Sequence, residues 1–177
     1  MRLRILAICL IAAACAAPSG SVTRASLAAS DAATALITGE RVEASWRTAP
    51  APEGMDPTVT LTLSHADGRR MAFQEANHAE NDLRAQAPGG PLAQIMGLFG
   101  DEAPALYHAV SEGSSDTPFI CGPEGPAAIG VLDSADGGVQ MVGLRQPIQF
   151  ETRPDGIVEA VPYSPDMVCA RLRFSRV

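Results

Sequence analysis

"TVTLTLSHADGRRMAFQEA", residues 58–76, is the stretch on which the fold turns. Val59, Leu61 and Leu63 alternate with Thr58, Thr60, Thr62 and Ser64. A period of two puts the apolar side chains on one face of an extended chain and the hydroxyls on the other. The β-branched residues favour that conformation. "ADGR" (66–69) then supplies a tight turn, and "RMAFQEA" (70–76) returns with Met71 and Phe73 on one face. Asp-Gly between two such runs is a strong short-range hairpin signal.

The device recurs on both sides of the chain's middle. "AAIGVLDS" (127–134) leads through "ADGG" (135–138) to "VQMVGLR" (139–145), and "PIQFETR" (147–153) through "PDG" (154–156) to "IVEAVPY" (157–163). The hairpins share only their turns, so no internal repeat is inferred. "ERVEASWRT" (40–48) reads as an earlier strand with Val42, Ala44 and Trp46 on one face. "MVCARLRFS" (167–175) reads as the last, with Val168, Ala170, Leu172 and Phe174 on one face and Cys169, Arg171 and Arg173 on the other. Successive hairpins predict a mainly β fold, an antiparallel meander forming a small sandwich or barrel.

Residues 80–104 break this pattern. Leu92, Ile95, Met96 and Phe99 fall at helical spacing between Pro91 and Gly100, which predicts one short helix near 91–99. The expected role is a plug for one end of the β core. The alternatives are an apolar lid over a cavity and a partner-binding patch.

The N-terminus gives the compartment. "MRLRILAICLIAAACAAPSG" (1–20) has two arginines, an apolar run from Ile5 to about Ala14, and then small residues. This is the three-part layout of a secretory signal, and the apolar run falls short of the roughly 20 residues that span a bilayer. Two exits fit. Ordinary cleavage is served by the alanines around Cys15. The stretch "IAAAC" (11–15) also resembles the bacterial lipoprotein signal, with Ala12 where that family usually carries leucine. The resemblance covers only the first tenth of the chain. It implies a signal peptide over 1–14, a diacylglycerol on the Cys15 thiol, and anchoring in the membrane. Ala16 after the cysteine implies sorting to the outer membrane. Residues 15–32, rich in Ala, Ser and Gly, are expected to be a flexible tether, and 33–177 a single β-rich domain.

Composition narrows the partners. The formal charge is −7 and grows more negative once Arg2 and Arg4 leave, which argues against nucleic acid and against capture by anionic lipid through charge. Every basic residue is arginine, and Trp46 is the single tryptophan. Of four cysteines, Cys9 goes with the signal and Cys15 is the lipidation candidate. Cys121 and Cys169 remain, and two leftover cysteines in an oxidising compartment are expected to pair. A reduced pair and a redox pair are the alternatives, the latter without CxxC spacing.

The chemistry-bearing residues are sparse. His65, His78 and His108 show no ligand spacing, so a metal would need a site assembled by folding with Glu75, Glu80 or Asp82. "EANHAEND" (75–82) is read as a solvated loop, lacking the glycine and spacing of a calcium loop. No GxSxG or SxxK nucleophile motif is present. "CGPEGP" (121–126) lacks the lysine and helix of a phosphate loop and reads as a rigid turn. Arg171 and Arg173 are the weak ligand-binding candidates, expected either to capture an anionic group or to pair with Glu151 or Glu159. No catalytic residue, metal site or cofactor is assigned. The expected function is a non-catalytic cell-envelope lipoprotein, a tethered β domain binding an envelope protein, a cell-wall component or a small ligand. A periplasmic hydrolase, or a carrier of an apolar ligand with the 91–99 helix as its lid, is the alternative.

Overall fold

The three Asp-Gly hairpins form, and all by the same local chemistry. In each turn the aspartate carboxylate accepts a hydrogen bond from the backbone N–H two residues on: Asp67 from Arg69, Asp136 from Gly138, Asp155 from Ile157. The glycine between takes a positive φ, +93° at Gly68, +86° at Gly137 and +83° at Gly156, which an L side chain resists.

The structure is a computed structural model that describes residues 20–51 and 53–177. The leader, Cys9 and Cys15 lie outside the described residues. In chain order the elements are β1 (Ser21–Ala29), α1 (Ala32–Thr38), β2 (Arg41–Ala49), β3 (Thr58–His65), β4 (Arg70–Glu75), α2 (Glu80–Gln86), α3 (Pro91–Met96), β5 (Ala105–Val110), β6 (Ala128–Asp133), β7 (Gly138–Leu144), β8 (Phe150–Thr152), β9 (Val158–Ala160) and β10 (Val168–Arg176). A 3-10 turn at Pro165–Met167 precedes β10. Eight antiparallel strands close into a barrel in the order β1-β10-β7-β6-β5-β4-β3-β2, with β1 pairing back onto β2. The predicted meander is therefore a closed up-and-down barrel. The third hairpin, β8–β9, stands outside it as an arm inserted between β7 and β10.

Eight strands make a barrel whose interior side chains can fill it. The alternating residues do so: Leu27, Val42, Leu61, Leu63, Phe73, Ile129, Val139 and Leu172 are at most 2 % exposed and form one cluster. At roughly 1.5–3 kcal/mol for each large side chain taken out of water, this cluster is the main favourable term in folding.

Four expectations need correction. Residues 21–29 are not tether but β1, which seals the barrel; Ala25 faces Ala44 and Leu27 faces Val42 across the ladder. One short helix becomes three. Asp31 caps α1 by accepting from the Thr34 amide, and Gly39 ends it at φ +73°. It is α1 that packs at a barrel end: Ile37 reaches the interior cluster, and the wholly buried Thr34 accepts a hydrogen bond from the Arg173 amide. Helix α3 stops at Met96, because Gly97 takes the left-handed conformation and the Leu98 amide closes onto the Ala93 carbonyl. Phe99, expected on its apolar stripe, is 94 % exposed. Nor does α3 plug an end. Leu92 and Ile95 lie against Leu106, Ala128, Val142 and Leu144 on the outer wall of β5–β7. That contact depends on Gly130, where a Cβ would sit 2.6 Å from a Leu92 methyl.

Cys121 and Cys169 form the disulfide, with Cα atoms 5.1 Å apart. It fastens the β5–β6 loop to the start of β10. Cys169 falls at a bulge where the β10–β7 register shifts, so Val168 joins the outer cluster while Ala170, Leu172 and Phe174 face the interior. Gly143 leaves the room: a Cβ there would lie 2.7 Å from the Cys121 sulfur.

Candidate functional site

The outer cluster leaves one side of α3 uncovered, and the arm stands opposite it. Pro91 and Ile95 form one wall of the resulting groove; Phe150, Val158, Ala160 and Val161 of the arm form the other, with Ile148 and Met167 completing the lining. The groove holds about 580 Å3, within the range of small-molecule sites, which are typically apolar with a few polar groups. Arg84, Gln94 and Tyr163 supply those groups. Arg84 is already paired with Glu80 one helical turn away. Ile157, Val161 and Tyr163 of the arm are exposed, as is Leu83 on α2. Of these, Val161 and Tyr163 line the groove itself, and exposed apolar surface at a groove is a mark of a binding site.

Local chemistry holds the helical side of this groove in place. The Gln86 amide donates to the Ala76 and Asp82 carbonyls and accepts from the Leu106 amide, so one side chain ties α2 to the end of β4 and to β5. The arm is held by its own ladder, by the Arg145 amide on the Met167 carbonyl, and by Arg153 bridging Asp155 and Glu159.

A second group of charged and aromatic side chains gathers where β2, β4, β5, β6 and β10 meet one barrel rim. Arg176 lies over the Trp46 ring at 5.6 Å and pairs with Asp133. Tyr107 is buried, and burial, reinforced by the Glu75 carboxylate, pushes its hydroxyl up to about 12. Burial also raises Glu75 above its ordinary value, with His78 acting in the opposite sense. Sequence reading had placed Glu75 only as a conceivable metal ligand.

The histidines separate. His65 lies beside Asp67 at 2.8 Å and against Phe119. The Arg69 amide holds Asp67 down at about 2. His108 reaches Asp82 at 3.2 Å, an acid–base pair joining β5 to α2. Among the described residues no three His, Cys, Asp or Glu side chains converge as a metal site would require. Arg171 and Arg173 stand exposed on β10 and share a crevice of about 40 Å3 beside Met96. Of the partners expected for them, Glu159 is taken by Arg153, and among the described residues Glu151 lies within 4 Å of neither. "CGPEGP" is a turn, with Cys121 at φ +66° and Gly122 at +78°.

The groove was not legible in the sequence. Its walls come from residues 91–95 and 148–167, which only the inserted arm brings together. The available signal was the surplus of apolar residues in "IVEAVPY". No family model, no curated protein and no solved structure matches the chain.

Proposed function

We propose that the protein is a non-catalytic lipoprotein of the cell envelope, a β-barrel module held at the membrane through Cys15, and that it carries a small amphipathic ligand in the groove between α3 and the β8–β9 arm. The observation that carries this reading is the 580 Å3 groove with apolar walls and a guanidinium at its edge. An acyl or polyprenyl body fits such walls, and Arg84 receives an anionic head once it leaves Glu80. Helix α3 is one fixed wall rather than a lid, because Leu92 and Ile95 are buried against the barrel. The leader resembling a lipoprotein signal supports the anchor and the compartment.

Titration of the purified protein with dansyl-undecanoate tests the site. One saturable fluorescence transition is expected, abolished by Val158→Asp, with a melting temperature unchanged because Val158 lies on the arm outside the barrel. Absence of saturation, or equal binding by V158D, overturns the assignment. Recovery of Cys15→Ala in the soluble periplasmic fraction, against membrane recovery of the parent, tests the anchor separately.

A further inference from the structure

The opposite wall of the barrel carries a different kind of surface. Among the described residues α2 and α3 do not cover the outer faces of β1–β4, whose outward residues are mostly polar, with the apolar Val22 and Ala72 among them. The register sets Arg24 of β1 opposite Ser45 of β2, and Val22 opposite Arg47. Arg24 and Arg47 are thus diagonal neighbours, about 7–8 Å apart by ordinary sheet geometry. Thr60, Thr62 and Ser64 follow on β3 opposite Arg47, Ser45 and Glu43, and Arg70 stands opposite Ser64 on β4. All of these side chains except Glu43 line a single concavity of about 570 Å3.

Its charge runs against the rest of the molecule. The chain is acidic overall, at −7, yet three exposed guanidiniums share this concavity. Among the described residues none of the three lies within 4 Å of a carboxylate, a state they share with Arg41, Arg145, Arg171 and Arg173 but not with Arg69, Arg84, Arg153 and Arg176. What sets the three apart is that they line one concavity. Glu112 is the one acidic side chain of the lining. Arg24 and Arg47 are diagonal neighbours within reach of one another's long side chains, so an anion between them would be met by both guanidiniums. Arginine forks match the oxygens of a phosphate group bidentately, and serine and threonine hydroxyls add single donors to the same oxygens.

We infer that this wall binds a soluble ligand bearing at least two phosphate groups, one at the Arg24–Arg47 pair and one toward Arg70. The site is separate from the apolar groove and does not depend on it. Calorimetric titration with inorganic pyrophosphate at low ionic strength tests it. One-site binding that weakens with added salt is expected, reduced at least tenfold in Arg24→Gln/Arg47→Gln. It should be retained in Arg145→Gln/Arg153→Gln, which removes the same charge from exposed positions outside this wall. No binding, or equal loss in both double variants, overturns the proposal. So does citrate binding as tightly as pyrophosphate, or association only with phosphatidylglycerol vesicles. If R24Q/R47Q melts early, amide shifts at Thr60 and Thr62 in the parent protein on adding pyrophosphate decide the question: shifts confined to this wall support it, and their absence refutes it.

Discussion

The two walls of this barrel share one interior and differ entirely outside it. On β5–β7 the outward residues are Leu106, Ala128, Gly130, Val142 and Leu144, buried under α2 and α3. On β1–β4 they are mostly polar, among them Arg24, Ser26, Glu43, Ser45, Arg47, Thr60, Thr62, Ser64 and Arg70, left bare or half-covered, with Val22 exposed beside them and Ala72 buried. The strand period is the same in both. What changes is whether the second face meets protein or water. A strand buried on both faces loses its alternation, whereas one with a solvated face shows it cleanly. The covered wall builds the apolar groove, and the bare wall builds the arginine surface.

This contrast can be broken by mutation. The largest effect is expected from the staple. Replacing both Cys121 and Cys169 by alanine releases a cross-link between residues 48 apart, worth about 4 kcal/mol in the chain-entropy treatment. Urea unfolding with and without reductant measures it. A loss below about 1 kcal/mol would mean that packing of the covered wall alone holds the loop. Next comes the wall itself. Leu92→Ala empties a fully buried position between α3 and the barrel and should cost about 2–5 kcal/mol. Thr62→Val on the bare wall should change stability by less than about 0.5 kcal/mol. Similar losses at the two sites would erase the distinction between the walls.

The smallest effect sits at the rim where the walls join. Burial raises the Glu75 carboxyl in the folded state, so its contribution to stability is full below the unfolded value of 4.5 and is lost as pH rises through the folded value. Glu75→Gln should therefore stabilise the protein near neutral pH and lose that advantage in acid. Melting temperatures of the parent and E75Q across that window provide the check, and a constant difference would show that the carboxylate is not desolvated.

Two strands of the bare wall, together with β10, are the part of the fold most legible in the sequence. β3 and β4 follow from alternation and an Asp-Gly turn, and β10 from alternating Ala170, Leu172 and Phe174. β1 is hidden because its inward residues include Ala25 and only one large apolar side chain, Leu27, so its composition is that of a tether. β5 is hidden because Leu106, facing α3, and Tyr107, facing the interior, are both buried. α1 left a signal in Asp31 and Gly39, its cap residues, but a helix of seven residues, about two turns, is too short for a periodic stripe. Of the candidate residues, the cysteine pair was readable from redox context, whereas the groove and the arginine wall were not.

Local chemistry in the sequence was sufficient for the three hairpins and the start of α3 at Pro91, because turns, caps and a two-residue period act over a few bonds; the disulfide partners followed from the cysteine count and the expected compartment. Barrel closure by β1, the outward placement of α3, the displacement of β8–β9 into an arm, and the gathering of Arg24, Arg47 and Arg70 were decided only by tertiary structure. Each depends on which face of a strand is left for water, and that follows from what packs against it from elsewhere in the chain.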